Sequence, residues 1–390
     1  MKRYQIRAKL MSPLAIRQNR QSDMSFSLPY LPGASLRGAL AAKHIRDGGN
    51  PDDNVFKSLF INHSVNFGNL LPVDSEAGNS KVLPLTSASC KRVPGFRQEG
   101  KHGVSDTLIY KFAQRNQIRT NNETFCPVVE CRNDVKAFSG FWNGDIDSPK
   151  EIQTSILFQR HTGIDRTTGT IASSIFFITQ AMADFRKASE TGKYIQQWLS
   201  GSIYIDDEQF EMLNSLARGP VFVGAFRTRG QGEIELSIEP DEAETPFPDI
   251  VAWGSKFKGK LKDIVHDKIP EDLSVGLYFS VTLESDTILV DQFLRPSSEI
   301  NLPFDNIQPV LKITKPQIIR GWQAAWGLPK PDDIGLSMGS VFLFKYIGSD
   351  VDGLKQVLST IVMKGIGLRR EEGFGRISVC DPLHIQEEVV

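Results

Sequence analysis

Apolar and polar residues alternate along two distant stretches of the chain, and each stretch predicts a β-strand with one buried face. In the first stretch the apolar positions are Tyr4, Ile6, Ala8 and Leu10, and Arg3, Gln5, Arg7 and Lys9 fill the positions between them. In the second stretch the apolar positions are Leu277, Phe279, Val281 and Leu283. The repetition predicts that the chain contains two similar halves.

Helical periodicity follows each of these strands. The small-residue segments Arg37–Ala42 and Arg320–Ala325 share the pattern R-G-x-x-A-A and predict a helix in each half. Later in each half a second helix is predicted. In the first half, Asp206 or Asp207 is the predicted N-cap, and the inward residues are Phe210, Leu213 and Leu216. In the second half, Asp352 is the predicted N-cap, and one face of the helix carries Leu354, Val357, Leu358 and Ile361.

Each half closes with a glycine turn and a last alternating strand, so the pattern is typical of an α+β fold in which helices cover one face of an antiparallel sheet. The other sheet face is then free for a ligand. The segment Glu239–Asp249 holds five acidic residues and three prolines but no Lys or Arg, which indicates a solvated linker. We therefore divide the chain into a first domain over residues 1–239, a linker over 240–272 and a second domain over 273–390. An insertion of about residues 50–150 lies in the first domain.

The charge balance limits the kinds of partner. The 390 residues include 45 basic and 46 acidic side chains, for a formal net charge of −1, so any nucleic-acid site must be a local patch. No stretch reaches the roughly 18 apolar residues of a membrane-spanning helix. The alternating start is unlike a signal peptide, and we expect a cytoplasmic protein without membrane contact.

The two glycine turns are candidate anion sites. They lack the G-K-[ST] sequence of a P-loop, but glycines allow backbone N–H groups to approach a phosphate while arginines supply charge. The candidates are Arg227, Arg229, Gly230 and Gly232 in the first half and Gly365, Gly367, Arg369, Arg370, Gly373, Gly375 and Arg376 in the second. Phe374 between them is a candidate for stacking on a base, with a core anchor for the last strand as the alternative. Tight turns with solvated arginines are the alternative.

A third polar segment, Gln159–Thr170, is predicted to be a loop that leads into a strand over Ser174–Ile178. Its Arg160, His161 and Arg166 are candidate phosphate ligands. The alternative is an Asx-type turn made by Asp165 and Thr168 that leaves Arg166 in solvent.

The insertion carries a candidate metal site formed by Cys90, His102, Cys126 and Cys131. Four nitrogen and sulfur donors suit a tetrahedral structural zinc ion, which would join loops that have little apolar core. Ordinary reduced core cysteines are the alternative. Cys380 lies in the last strand and is expected to be packed there.

Three of these segments together carry a family resemblance: PYLPGASLRGALAA, HTGIDRTTGT and EEGFGRISV, at positions 29–42, 161–170 and 371–379. They resemble the RAMP superfamily of CRISPR-associated proteins, and the ending GIGLRREEGFGRI with the cysteine-bearing insertion most resembles the RAMP subunit of type III-D effector complexes. The resemblance implies two tandem ferredoxin-like (RRM-like) domains. It also implies RNA binding through the second glycine turn and through the turn that contains Pro32, Gly33, Ser35, Arg37 and Gly38.

The resemblance further implies a role in antiviral defence. The expected partners are the 5′ handle of a crRNA, a large signalling subunit, backbone RAMP subunits and, indirectly, target RNA. We expect a non-catalytic subunit that holds the handle. Two alternatives stay open. One is a RAMP endoribonuclease, using His44 for crRNA processing or Asp23 for target cleavage. The other is an adaptor that contacts only proteins.

Overall fold

The computed structural model describes residues 2–17, 24–62, 65–120, 126, 128, 130–131, 133–187, 192–241, 247–265, 269–323 and 326–386. The chain is α+β. Its strands up to residue 240 are, in order, β1 (Lys2–Leu10), β2 (Met24–Ser25), β3 (Asn66–Phe67), β4 (Leu71–Val73), β5 (Lys81–Val82), β6 (Ser87–Cys90), β7 (Val104–Asp106), β8 (Val135–Ala137), β9 (Phe141–Trp142), β10 (Glu151–Ile152), β11 (Ile156–Ile164), β12 (Ile171–Met182), β13 (Phe185–Lys187), β14 (Tyr194–Gln196), β15 (Trp198–Ile205), β16 (Val221–Phe222) and β17 (Glu233–Pro240).

The remaining strands are β18 (Leu277–Leu283), β19 (Ile307–Ile313), β20 (Pro316–Ile319), β21 (Trp322–Gln323), β22 (Leu328–Pro329), β23 (Asp333–Leu336), β24 (Val341–Tyr346) and β25 (Ile377–Val379). The helices are α1 (Gly33–Arg46), α2 (Asn54–Phe56), α3 (Leu108–Arg115), α4 (Asp207–Ala217), α5 (Ile250–Ile264), α6 (Glu271–Ser274) and α7 (Val351–Lys364). Within the described ranges no helix has the length and apolar character needed to cross a membrane.

Two antiparallel sheets organise the molecule. The first has the strand order β16-β17-β1-β15-β3, with β4 also paired to β15, and the second has the order β19-β24-β18-β25. In both, the strand that comes first in the sequence lies in the interior, and the last strand pairs with it on one side. The apolar face of β1 packs with Leu36, Leu40 and Leu213 of α1 and α4, as its alternation predicts.

The predicted insertion begins later than expected. Strands β3 and β4 pair with β15 and therefore belong to the first sheet, although they lie within residues 50–150. Further along the insertion, Leu108, Ile109 and Phe112 of α3 pack into the core of the second half. Apolar and polar alternation cannot be recognised in strands of two or three residues, so the sequence pattern did not predict β3 and β4.

The predicted linker over residues 240–272 contains a structural helix. Trp253, Phe257 and Leu261, spaced by four, form the buried ridge of α5 and pack on the second sheet. The Phe257 and Tyr278 ring centroids lie 5.2 Å apart. Since Tyr278 and Thr282 share one face of β18, and Thr282 contacts His384, α5 and the C-terminal turn cover that face. The prediction of a ligand-accessible face is therefore wrong for the second sheet.

The predicted helix at Arg320–Ala325 is also wrong. Trp322 and Gln323 pair with Pro329 and Leu328 in a β-hairpin, and Ala324 and Ala325 lie outside the described residues. The helix α7 does form where its periodicity predicts it, but Asp350 rather than Asp352 caps it, with its carboxylate accepting from the Gly353 amide at 2.8 Å. The N-cap of α4 is Asp206, one of the two predicted residues.

A long hairpin replaces the loop predicted at Gln159–Thr170. Residues up to Ile164 belong to β11, which pairs antiparallel with β12, and only residues 165–170 form the turn. The second half has a shorter counterpart, the hairpin β20–β23. Both hairpins attach in the same manner, because Leu14 bridges Met182 and Thr287 bridges Leu336. The similarity of the halves thus extends beyond the strands that revealed it.

Candidate nucleic-acid interface

The two glycine turns have left-handed backbone at the same four positions. We call Gly224–Gly232 the first glycine turn and Gly367–Gly375 the second. In each, the first, third, seventh and ninth residues have positive φ, at 82°, 60°, 77° and 86° in the first turn and 74°, 56°, 93° and 75° in the second. Three of these four positions are glycine in both turns, because left-handed backbone costs glycine little. The non-glycine residues are Phe226 and Arg369.

The first glycine turn presents its arginines to solvent. Arg227, Arg229 and Gly230 are exposed, whereas Gly232 is buried against the Val223 carbonyl. The Arg229 guanidinium lies 5.5 Å from the ring centroid of Phe226 and 5.7 Å from that of Phe177 in β12. Such cation–π contacts hold an arginine over an aromatic face without neutralising its charge.

The hairpin β11–β12 completes this surface. The His161 ring stacks on Phe177, with centroids 4.7 Å apart and an interplanar angle of 16°. The His161 Nε2 atom lies 2.9 Å from the Thr179 hydroxyl. Gln231 of the glycine turn donates through Nε2 to Gln159 Oε1 at 2.8 Å, which ties the turn to the hairpin. A third cation, Arg17, lies 4.4 Å from the Phe226 ring centroid.

We call the set Arg17, His161, Phe177, Phe226, Arg227 and Arg229 the first-half interface. Cations beside aromatic faces suit single-stranded RNA, since phosphates bind the cations and bases stack on the rings. The sequence identified His161, Arg227 and Arg229. Sequence reasoning missed Arg17, Phe177 and Phe226. The two phenylalanines lie close in sequence to the predicted motifs, and this proximity could have identified them.

The other predicted residues of the hairpin lie apart from this surface. Arg160 is exposed but points to the opposite side of β11 from its neighbour His161. Arg166 is exposed at the tip, where the Asp165 carboxylate accepts from the Thr167 and Thr168 amides at 2.7 and 3.0 Å. Those backbone hydrogen bonds lower the pKa of Asp165. The Asx-type turn, which the sequence analysis gave as the alternative interpretation of this segment, is therefore present.

The end of the second glycine turn and the two residues that flank it, Gly365 and Arg376, are packed between the halves. Gly365, Gly373, Gly375 and Arg376 are buried, and Arg376 is only 7% exposed. Burial lowers the pKa of Arg376 to about 10. The sequence predicted a guanidinium open to solvent here, but that of Arg376 is enclosed by protein; its contact with phosphate stays a prediction.

Carboxylates neutralise the other predicted cation of this turn. Arg369 pairs with Asp333 at 2.8 Å and with Glu372 at 2.7 Å, and Lys330 pairs with Glu372 at 2.8 Å. Burial alone raises the pKa of Glu372, but Arg369 and Lys330 outweigh it and the net pKa is lowered. Phe374 is half-buried beneath Arg369, with 4.8 Å between guanidinium and ring centroid. Gly367 and Arg370 remain exposed.

The start of α1 meets the second glycine turn. The Gly33 amide donates to Asn69 Oδ1 at 3.0 Å, and a Cβ atom at Gly33 would lie 3.0 Å from the Glu372 carbonyl oxygen. Arg37 donates to the Phe60 carbonyl. Pro32 and Ser35 are half-buried, and Gly38 is exposed. Two of the three segments that carry the family resemblance are thus adjacent, and they form a joint between the halves.

The four predicted metal donors converge. Donor atoms of Cys90, His102, Cys126 and Cys131 all lie within 4.8 Å of one another. The Cys90 and Cys131 sulfurs are 3.6 Å apart, and Cys126 Sγ lies 3.3 Å from His102 Nδ1. Around a tetrahedral ion with Zn–S bonds of about 2.3 Å, two sulfurs are about 3.8 Å apart. The group therefore has the donor chemistry and spacing to hold a metal ion.

Hydrogen bonding and burial act differently on two of these thiols. The Asn133 side chain donates to Cys131 Sγ at 3.0 Å, which lowers the pKa of Cys131. Burial raises the pKa of Cys126. Cys380 is buried in the second-half core, as predicted, and burial raises its pKa.

Of the two catalytic candidates, His44 and Asp23, the structure describes only His44. His44 lies near the end of α1, where its Nε2 is 2.7 Å from Asp53 Oδ2 and its ring is 5.9 Å from the Phe56 ring centroid. The pKa of Asp53 is lowered to about 2, mainly by the Phe56 and Asn50 amides and then by His44. This arrangement holds the turn after the helix. Asp23 lies outside the described residues.

Comparison of the sequence with models of protein families identifies the family of this chain. The model of the RAMP superfamily matches residues 7–235, which is more than half of the chain. The chain belongs to the RAMP superfamily. No curated protein shows significant sequence similarity to this RAMP protein.

Three solved structures show similarity to this RAMP protein at low sequence identity. A chain in the type III-B Cmr-beta complex bound to cognate target RNA and AMPPnP shares 12% identity, with 92% of this chain and 88% of that chain covered and a TM-score of 0.44. A chain in the Csm3–Csm4 subcomplex of a type III-A interference complex shares 13%, with 90% and 96% covered and a TM-score of 0.34. Oligomeric Cmr4 from Pyrococcus furiosus shares 11%, with 61% and 98% covered and a TM-score of 0.26.

Proposed function

We propose that this RAMP-superfamily chain is a non-catalytic RNA-binding subunit of a type III CRISPR effector complex in antiviral defence. The observation that carries the proposal is the first-half interface, in which Arg227 and Arg229 are exposed beside the rings of Phe177 and Phe226. Phosphate contacts of this kind position an RNA without reading its sequence.

In its finer form, the proposal is that the chain consists of two ferredoxin-like domains and holds the crRNA 5′ handle in a type III-D complex. The strand orders of the two sheets and the matching glycine turns support two related domains. The proposed partners are the large signalling subunit, the backbone RAMP subunits and, indirectly, target RNA, and the proposed location is the cytoplasm. Holding a handle requires positioning contacts and no proton-transfer group.

The proposal includes a structural zinc ion held by Cys90, His102, Cys126 and Cys131. These donors come from β6 and from two loops of the insertion, where the buried apolar cluster is small and contains Phe96, Val104 and Trp142. A metal that joins such loops supplies folding free energy that a small core does not.

Sequencing the RNA that co-purifies with the protein from its host tests the functional proposal. A uniform, repeat-derived 5′ end is the expected result, because a handle-binding subunit selects one end of the crRNA. Random fragments would contradict handle capture. A complete lack of RNA would contradict RNA binding and favour an adaptor that contacts only proteins.

A further inference from the structure

One flank of α5 carries lysines that the first-half interface does not use. The inward ridge of the helix is Trp253, Phe257 and Leu261. Lys258 and Lys262 lie one helical turn apart and therefore share a face, adjacent to this ridge. Lys262 is exposed, and Lys258 is half-buried.

A third lysine reaches the same area from the second sheet. The Lys258 Nζ atom lies 6.0 Å from the Tyr278 ring centroid, and Tyr278 is the register partner of Lys345 in β24. Lys345 donates to the Asp272 carbonyl oxygen in α6, which keeps its ammonium group beside Tyr278. We call Lys258, Lys262 and Lys345 the α5 lysine cluster.

The charges around Lys258 are positive. Burial is the main cause that lowers its pKa, and the positive charges of Lys345 and Lys262 lower it further. In the part of the chain that the structure describes, neither Lys258 nor Lys262 forms an ion pair with a carboxylate. Asp263, which follows Lys262 directly, is exposed, and Asp272 is exposed near Tyr278, whose pKa its charge helps to raise. Neighbouring ammonium groups that are not ion-paired with a carboxylate are stabilised when an anion binds.

We propose that the α5 lysine cluster is a second contact for the phosphate backbone of RNA, on the second half of the molecule. The inference rests on the proposed RNA-binding function. The cluster would give the second half cations that its glycine turn does not offer through Arg369 or Arg376, because Asp333 and Glu372 neutralise Arg369 and packing encloses Arg376. Lysine ammonium groups bind phosphates as point charges, which needs no enclosed pocket.

An RNA strand bound at both places would be held by both halves of the chain. Each half would contribute cations from a different element, a glycine turn in the first and a helix in the second. The α5 contact would not discriminate sequence, since it provides ammonium groups without base-edge partners.

The test compares the double variant K258A/K262A with K256A, which removes an exposed lysine from the opposite flank of α5. Fluorescence anisotropy is measured with single-stranded oligouridylates of about 30 and about 8 nucleotides at several salt concentrations. For the long RNA, we expect the double variant to lower affinity roughly fivefold to tenfold and to make the salt slope shallower by about 1.4. The short RNA, which the first-half interface binds alone, and the K256A variant should behave as wild type.

Unchanged long-RNA affinity in K258A/K262A would overturn the inference, even if an acidic peptide were bound through the same lysines. If the alanine variant unfolds, K258Q/K262Q replaces it. Failure of the proposed function has a different signature: short-RNA binding would then be insensitive to loss of Arg227 and Arg229.

Discussion

The Arg376 guanidinium of the second half donates through Nη2 to the Asn66 carbonyl oxygen of the first half, at 3.1 Å. Through Nη1 it also donates to the Met363 carbonyl oxygen at the end of α7, at 3.0 Å. Its third neighbour is the Tyr204 ring, with 4.1 Å between guanidinium and centroid. One side chain thus joins α7, β3 and β15, and the second glycine turn serves as the joint between the halves.

Replacing Arg376 with alanine should destabilise the protein by about 3 kcal/mol, because the buried carbonyls of Asn66 and Met363 lose a charged donor. Arg376→Lys should recover only part of this loss, since a single ammonium does not reproduce the two-pronged guanidinium. Urea unfolding followed by circular dichroism measures both. The neighbouring exposed Arg370→Ala should change stability by less than about 0.5 kcal/mol. Equal effects of the two alanine variants would contradict the joint.

Removing Arg227 and Arg229 together should weaken RNA binding without unfolding the protein. Both side chains are exposed, so R227A/R229A should melt like wild type, yet two lost phosphate contacts should make the salt slope for single-stranded RNA shallower by about 1.4. Filter binding at several salt concentrations gives the slope. Arg218→Ala, an exposed arginine at the end of α4, is the matched control. A loss of equal size in R218A would mean that charge alone, not this surface, governs binding.

Two glycines of α1 should respond oppositely to alanine. At Gly33 a Cβ atom would collide with the Phe67 carbonyl and lie 2.9 Å from that of Gly68, so Gly33→Ala should cost about 1–3 kcal/mol. At Gly38 a Cβ atom meets nothing within 4 Å, and Gly38→Ala should stabilise the helix by about 0.5–1 kcal/mol. Thermal melts of the two variants provide the measurement. A stable Gly33→Ala protein would contradict the close contact between α1 and the loop after β3.

The buried pair of His384 and Asp106 should make stability depend on pH. His384 Nδ1 lies 2.9 Å from Asp106 Oδ2, and both side chains are almost completely buried. Burial alone lowers the pKa of His384 and raises that of Asp106, but their mutual attraction and hydrogen bonds outweigh burial. The pKa of His384 is therefore raised, and that of Asp106 is lowered.

The directions of these two pKa shifts define the pH range in which the pair stabilises the folded protein. The histidine contribution is complete below the unfolded histidine pKa of about 6.5 and is lost as pH rises through the raised folded value. The aspartate contribution is present above its unfolded pKa of about 3.9 and is lost as pH falls through the lowered folded value. Asp106→Asn should cost about 3 kcal/mol between these limits and less at alkaline pH, as measured by urea unfolding. Asp52→Asn, which breaks an exposed pair with Lys57, should show no comparable pH dependence.

Purified protein should contain close to one zinc ion per chain, by elemental analysis, and Cys126→Ser should remove it because one of four donors is lost. A chelator should lower the melting temperature of the wild type more than that of the variant. Cys380→Ser is the control, since Cys380 is buried far along the chain in the second-half core. Wild-type protein purified without zinc would contradict the site.

The sequence alone determined the features that depend on neighbouring residues. The alternation at Tyr4–Leu10 and Leu277–Leu283, the periodicity of Leu354 and Leu358, and the glycine spacing were all sufficient, because backbone conformation and facing follow from local pattern. The sequence also identified Cys90, His102, Cys126 and Cys131, since few residue types bind metals and their occurrence is informative without coordinates.

Only the tertiary structure decided which glycine turn is exposed. The two turns have positive φ at the same four positions, and the family resemblance favoured the second as the RNA site. However, the hydrogen bond from Arg376 to Asn66, 310 positions away, buries the guanidinium that follows the second turn, whereas the first turn retains its arginines in solvent beside Phe177. Similarly, the acidic segment before α5 signalled a linker, yet Trp253 and Phe257 cover the second sheet. Exposure is set by packing between distant segments, and local sequence pattern carries no information about which segments will meet.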